Sequence, residues 1–101
     1  MFIYNLTTNV NWNIHDAWFE WMQQDHMPAL IKTNCFVRYQ LLKLLEQDET
    51  EGPTYVAQYF AESNALYNKF IELYAKDFRK EIEDKWGQNI YAFRTLLEVI
   101  E

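Results

Sequence analysis

The segment DHMP at positions 25–28 contains the side chains best suited to proton transfer in this chain. An imidazole titrates near neutral pH and is the usual general acid or base, so His26 is the candidate catalytic residue. At about 100° per residue, Asp25 falls inside the apolar stripe of a predicted helix and His26 falls at its edge. One interpretation is that the helix has ended and Asp25 caps a turn. The other is that both side chains face a cavity walled by Trp18 and Trp21.

A second unusual position is Arg94, which lies in the middle of the strand-like segment AFRTLLEV. Alternation places Ala92 and Leu96 on the same face of that strand. A guanidinium on an apolar face needs acceptors, because it carries only donors and keeps its charge. An ion pair with Glu98, on a neighbouring strand or across a dimer, would supply one. The alternative is that Arg94 clamps an anionic ligand.

A third candidate is Tyr59, in the segment TYVAQYFA at 54–61. Large and small side chains alternate on its face, an arrangement that frames a pocket in some proteins and is ordinary packing in others. The candidate pocket residues are therefore Trp18, Trp21, Asp25, His26, Tyr59 and Arg94.

The chain lacks the common sequence signatures of metal, cluster and nucleotide sites. No Cys or His spacing matches a zinc site, the 2 glycines are too few for a glycine-rich phosphate loop, and no nucleophile elbow is present. The single cysteine, Cys35, cannot form an internal disulfide or hold an iron–sulfur cluster. We therefore expect no metal and no cofactor.

Length and composition predict one folded domain over residues 1–101. A chain of 101 residues has room for one modest core, and a hydrophobic content of 50% excludes disorder. The aromatic content of 18% is more than a small core needs. Because aromatic side chains are enriched at interfaces and in ligand pockets, the excess indicates burial beyond the monomer core.

Charge and hydropathy exclude two classes of partner. With 15 acidic and 9 basic residues the net charge is −6, which disfavours binding to nucleic acid or to anionic lipid. No apolar run approaches the roughly 20 residues that span a bilayer. The opening MFIYNLTTNV alternates like a strand and lacks the basic region of a signal peptide. We expect a cytoplasmic protein without a membrane partner.

Hydrophobic periodicity predicts the order strand, helix, strand, strand, helix, strand. The first helix covers about 13–26, and the second runs from a cap at Ser63 to a stop at Gly87. This βαββαβ order indicates the ferredoxin-like fold, an α+β architecture in which two helices cover one face of a four-stranded antiparallel sheet. The strands are predicted at 2–10, 36–46, 54–61 and 89–100.

Three local irregularities are also expected. Pro28 should end or kink the first helix at Met27, since proline disfavours helix in the preceding residue. The pattern of the second strand indicates a bulge near Leu41-Leu42 or burial on both faces. The apolar stripe of the second helix drifts around its axis, which predicts a bend or break near Lys76-Asp77.

Strands two, three and four carry bulky apolar side chains at both odd and even positions. An antiparallel sheet with one wet face should alternate cleanly, and two helices can cover only one face. The open face therefore needs a second cover. We expect a homodimer, a dimeric α+β barrel in which a second copy of the chain packs on that face.

The segments IYNLTTNV, DHMP, VAQYF and AFRTLLEV resemble a family of short bacterial proteins known only as a domain of unknown function. That family is similar to the dimeric α+β barrels, which include cofactor-free antibiotic-biosynthesis monooxygenases, muconolactone isomerase-like enzymes and stress-responsive A/B barrel proteins. In several of these groups a histidine near the end of the first helix, often followed by proline, lines the cleft. The resemblance implies that His26 occupies this position and that two sheets pack face to face. It implies no particular reaction.

The sequence does not decide whether the protein is an enzyme, and it names no substrate. It favours a ligand-binding or non-catalytic homodimer that holds a small apolar or aromatic ligand. The alternative is a cofactor-independent monooxygenase or isomerase that acts on a small aromatic substrate. In that case His26 would move a proton, Trp18 and Trp21 would wall the pocket, and Tyr59 or Arg94 would orient an oxygen. A protein-interaction module with an acidic surface is a third hypothesis.

Overall fold

The computed structural model describes residues 1–101, and its strands and helices follow the predicted order. All strand pairs are antiparallel, and the sheet order is β2-β3-β1-β4, which confirms the ferredoxin-like fold. The elements are β1 (Phe2–Val10), α1 (His15–Trp21), α2 (Met27–Ile31), β2 (Arg38–Lys43), β3 (Thr54–Ala61), α3 (Asn64–Leu73), α4 (Ala75–Trp86) and β4 (Ile90–Glu98).

The two faces of the sheet differ because side chains alternate along each strand. On the helix-facing side, Tyr4 of β1 lies opposite Tyr59 of β3 and Leu96 of β4. Tyr4 and Tyr59 are buried in the core that the helices cover. We call the other side the open face. It carries Asn5 and Thr7 of β1, as the alternation of residues 2–10 predicted.

The first helical segment continues past the proline, so it does not end at Met27, but the α-helix is interrupted just before Met27 by a π-turn, an irregularity of the kind predicted there. A 3-10 turn (Trp12–Ile14) precedes α1, and a π-turn (Met22–His26) joins α1 to α2. The amide N–H of Met27 donates to the carbonyl of Met22, one residue further back than in an α-helix. This wider turn ends just before Pro28, which has no N–H to contribute and is tolerated in the first turn of α2.

The second helical segment begins and ends as predicted. The amide N–H of Leu66 donates to the Ser63 hydroxyl over 3.1 Å, so Ser63 caps α3. Gly87 follows α4 with a positive φ of 51°, which favours glycine. The break expected at Lys76-Asp77 occurs slightly earlier, at Tyr74, where φ of −126° separates α3 from α4.

The second strand is shorter and more regular than predicted. It pairs with β3 residue by residue, from Arg38 opposite Phe60 to Lys43 opposite Tyr55, so there is no bulge at Leu41-Leu42. The second strand is not buried on both faces within one chain either, because Leu42 on the open face remains exposed. The fourth strand is also shorter than the predicted 89–100. No helix is long and apolar enough to cross a membrane.

Candidate functional site

A cavity of about 490 Å³ lies between the helix-facing side of the sheet and the helices. Its floor is formed by β1 and β4, and α4 forms the wall opposite. Two small residues belong to the lining, Ala92 in the floor and Gly87 just after α4, where the space around the glycine is open. Eleven of the 16 residues that line the cavity are hydrophobic, including Leu6, Leu30, Phe70, Phe78, Ile82 and Ile90.

The imidazole of His26 lies in this cavity wall and is 2% exposed. Its ring stacks on the indole of Trp21 and meets the edge of the Phe78 ring. Its Nδ1 atom has no hydrogen-bond partner. Burial lowers the pKa of His26 from 6.5 to about 4, because the charged imidazolium would lose its hydration without gaining a partner. The ring is therefore neutral at physiological pH.

Two tyrosines line the same cavity from the sheet. The hydroxyl of Tyr59 is buried and has no hydrogen-bond partner. Burial raises the pKa of Tyr59, and the neighbouring phenols of Tyr4 and Tyr39 raise it further. Burial also raises the pKa of Tyr4, although the positive charges of Arg79 and Arg94 act on it in the opposite direction. Both hydroxyls therefore remain protonated and can donate hydrogen bonds.

Two arginines line the cavity from opposite sides, Arg79 from α4 and Arg94 from β4. Neither forms an ion pair within the chain. The pair with Glu98 that the sequence suggested does not form within the chain. Arg94 and Glu98 are four positions apart on one strand, a separation of about 13 Å. The one acidic residue in the lining is Glu83, which follows Arg79 by a helical turn.

Three of the six candidate residues line the cavity, namely His26, Tyr59 and Arg94. The other three lie outside its wall. Trp18 is buried against Tyr55, with ring centroids 5.4 Å apart. Trp21 lies beside His26 without belonging to the lining. Asp25 is exposed and has no hydrogen bond, because the π-turn changes the angular phase that a regular helix would have given it.

Sequence reasoning missed Arg79, which the fold brings into the cavity with Arg94. One signal for it was present, since Arg79 directly follows Phe78 in the apolar stripe of the second helix. That stripe forms part of the cavity wall. Arg79 is exposed to solvent, as a charged residue beside a buried stripe ordinarily is, and only the fold shows that it also lines the cavity.

The chemistry available to the cavity is binding by apolar contact, hydrogen bonding and positive charge. The walls are hydrophobic, and the uncharged polar groups are two phenols and a neutral imidazole. The two arginines supply positive charge and Glu83 supplies one negative charge. No side chain hydrogen-bonds to the His26 Nδ1 atom, so the imidazole lacks the orienting partner typical of a catalytic base. No group of His, Cys, Asp and Glu side chains is arranged to hold a metal ion.

Several solved structures are similar to this chain. A candidate antibiotic biosynthesis monooxygenase from Deinococcus radiodurans aligns with a TM-score of 0.71 and 14% identity, over 100% of this chain and 94% of its own. A dimeric ferredoxin-like protein from an uncultured marine organism aligns with a TM-score of 0.69 and 12% identity, over 99% of this chain and 94% of its own. An ethyl tert-butyl ether (EthD) family protein from Bacillus halodurans aligns with a TM-score of 0.67 and 13% identity, over 99% of this chain and 100% of its own. At these identities the similarity establishes the fold alone.

Sequence comparison gives a more specific result for the family. No curated protein matches this chain. A family model described as a domain of unknown function, DUF4286, matches residues 1–100. The match includes both helical segments and all four strands, and with them every residue that lines the cavity. The chain therefore belongs to the DUF4286 family.

Proposed function

We propose that this protein is a homodimeric, small-molecule-binding α+β barrel protein whose ligand occupies the cavity between helices and sheet. The observation that carries this proposal is the cavity itself, about 490 Å³ in volume, with unpartnered polar atoms on His26 and Tyr59 in its wall. The proposal includes a single domain over residues 1–101. It also includes a cytoplasmic location, and the free, buried thiol of Cys35 is compatible with that location.

The cavity has the properties of a ligand site. Its volume lies within the range of about 300–1,000 Å³ that is usual for small-molecule pockets. Its lining is mostly apolar with a few polar groups, which is the usual composition of such sites. A buried polar atom without a partner costs free energy of about 1–3 kcal/mol. A ligand that hydrogen-bonds to the Tyr59 hydroxyl or to the His26 Nδ1 atom would remove part of that cost.

The open face of the sheet supports the homodimer. It carries Phe93, which is 50% exposed, and Leu97 of β4, together with Leu42 of β2. Exposed apolar side chains on one face of a sheet, from one edge to the other, are typical of an interface. One of the similar structures is a dimeric ferredoxin-like protein, and a second copy of this chain is the partner with the matching surface.

Polar groups on the open face do not prevent such packing. The amide of Gln40 donates to Gln58 over 2.7 Å, and Gln58 donates to Asn5 over 3.0 Å. These three side chains form a row across β2, β3 and β1. The rows on either side are mostly apolar, each with one polar member, Thr7 in one and Arg38 in the other. Because the row satisfies much of its own hydrogen bonding, its burial in a dimer costs less than that of isolated amides.

The alternative function is a cofactor-independent monooxygenase or isomerase in which His26 is the acid or base. The position of His26 in the cavity wall favours it. Two observations weigh against it. A pKa of about 4 makes the imidazole a weak base, and no side chain orients its Nδ1 atom. We therefore prefer binding to catalysis.

Blocking the cavity tests the binding function. The neutral dye Nile red should bind the wild-type protein with increased fluorescence. Ala92→Trp places an indole in the cavity floor and should abolish this binding. Ala65→Trp, at an exposed position of α3 outside the cavity, is the matched control and should bind as the wild type does. Equal dye binding by all three proteins would show that the cavity is not the ligand site.

A separate assay tests the enzyme. Wild type and His26→Ala are incubated with hydroxylated aromatic compounds, with and without oxygen and without added cofactor. We expect no turnover by either protein. Turnover that needs oxygen and is lost in His26→Ala would establish the monooxygenase function in place of ours.

A further inference from the structure

We propose that the ligand of this cavity is a small apolar monoanion, such as an aromatic or aliphatic carboxylate, whose charged group is held between Arg79 and Arg94. The inference rests on the proposed binding function and adds to it the chemical class of the ligand. The two arginines come from different elements, α4 and β4, and approach the cavity from opposite sides.

The strand register fixes the position of Arg94. It lies opposite Leu6, while Tyr4 lies opposite Leu96, so Arg94 and Tyr4 are diagonal neighbours on the helix-facing side. Arg79 also lies near the Tyr4 hydroxyl, since the charges of both arginines act on that group. The Tyr4 hydroxyl is thus a common neighbour of the two guanidinium groups and a third donor for an anion held there.

Both guanidinium groups are available to a ligand. On α4, Lys80 pairs with Asp84 at 2.7 Å, one helical turn along. Arg79 has the same spacing to Glu83 but forms no such pair. An unpaired basic side chain is common in this chain, since only Lys43 and Lys80 of the 9 Lys and Arg residues form ion pairs. What distinguishes Arg79 and Arg94 is that both are exposed to solvent and both line the same cavity. Arginine is suited to carboxylate, because its planar donors match both oxygens.

The remaining charges in the cavity limit the anion to one negative charge. The lining contains two arginines and one carboxylate, Glu83, and the imidazole of His26 is neutral. The local balance is therefore a single positive charge. The rest of the lining is aromatic and aliphatic, which suits the hydrocarbon part of an apolar acid and disfavours sugars and nucleotides.

The test compares naphthoate with its neutral isostere, naphthamide, by isothermal titration calorimetry. Wild type should bind naphthoate at least about tenfold more tightly, because charge-assisted hydrogen bonds are about twice as strong as neutral ones. Arg79→Gln and Arg94→Gln should each weaken naphthoate about tenfold and leave naphthamide unchanged. Lys80→Gln removes the same charge from the same helix outside the cavity, and should alter neither affinity.

The outcomes separate this inference from the function on which it rests. Equal affinities for the two compounds, unaffected by the arginine substitutions, would overturn the anion site and leave a binding cavity for neutral ligands. Binding of neither compound to wild type would overturn both. Arg79→Lys and Arg94→Lys repeat the test if a Gln variant unfolds. They keep the charge but lose the planar donors, and should weaken naphthoate by a smaller factor. Equal naphthoate affinity in wild type and both Lys variants would contradict the clamp.

Discussion

The imidazole of His26 stacks on the indole of Trp21, with ring centroids 4.6 Å apart and planes inclined by 26°. Stacking of a cation on an indole would favour the charged imidazole by about 0.5–2 kcal/mol. Burial acts in the opposite direction and prevails, since the pKa of His26 falls to about 4. The contact therefore holds a neutral ring in the cavity wall, where it can accept or donate one hydrogen bond.

The stability of the protein should fall as the pH decreases from 6.5 toward 4. In that interval the unfolded chain binds a proton at His26, whose ordinary pKa is 6.5, and the folded chain does not. The stabilising effect is complete above pH 6.5 and is lost toward pH 4, by about 3 kcal/mol at most. Urea unfolding at fixed protein concentration, repeated across this pH range, measures the change in the free energy of unfolding. In His26→Phe this component should be absent, and equal pH dependence in both proteins would contradict the assignment.

Removal of the Tyr59 hydroxyl should not destabilise the unliganded protein. That hydroxyl is buried without a partner, so Tyr59→Phe should raise the free energy of unfolding by about 1 kcal/mol. The matched control is Tyr55→Phe, in the same strand. It loses a 2.8 Å hydrogen bond to the His15 Nε2 atom and should lower stability by about 1 kcal/mol. Urea unfolding of both variants decides. A loss of stability in Tyr59→Phe would mean that the hydroxyl is satisfied in solution.

A charge on the open face should dissociate the proposed dimer. Phe93→Glu places a carboxylate among apolar side chains that a second copy would cover, at a cost that no partner offsets. Sedimentation should give twice the chain mass of 12.3 kDa for wild type and the single mass for the variant. Leu73→Glu changes an exposed leucine on α3 and should leave the dimer intact. A monomeric wild type would exclude the dimer.

The two glycines should differ sharply in their tolerance of alanine. A Cβ at Gly52 would lie 1.7 Å from the carbonyl oxygen of Val10, and this backbone atom can move only if β1 moves. Gly52→Ala should therefore cost about 3 kcal/mol or more. Gly87 has open space around it and only its positive φ to satisfy, so Gly87→Ala should cost about 1–2 kcal/mol. Thermal unfolding compares them, and equal losses would contradict the steric argument.

Replacement of Asp25 should have little effect. Its side chain is exposed and has no hydrogen bond, so Asp25→Ala should change the free energy of unfolding by no more than about 0.5 kcal/mol. A helical wheel with a constant angle would instead predict a buried partner and a larger loss. Urea unfolding measures the difference. A loss above about 1 kcal/mol would indicate a partner for this carboxylate.

The sequence by itself determined the order of elements and the sidedness of β1. Alternation at residues 2–10 predicted which side chains face the helices, because a strand has a fixed period of two. Ser63 and Gly87 marked the limits of the second helical segment through local cap chemistry, which depends on a few neighbouring residues. The position of His26 at the edge of an apolar stripe left two interpretations open, a turn after the helix end or a side chain that faces a cavity.

Only the tertiary structure decided what surrounds that imidazole. The π-turn changed the phase of the helix and turned Asp25 outward, an effect that a constant helical angle does not contain. The register of β4 against β1 brought Arg94 to the cavity, and the packing of α4 over the sheet brought Arg79 to the same place. These two residues are 15 positions apart, and one lies in a helix and the other in a strand, whose side chains repeat with different periods. Their convergence depends on how the elements pack, which neither local propensity nor hydrophobic spacing encodes.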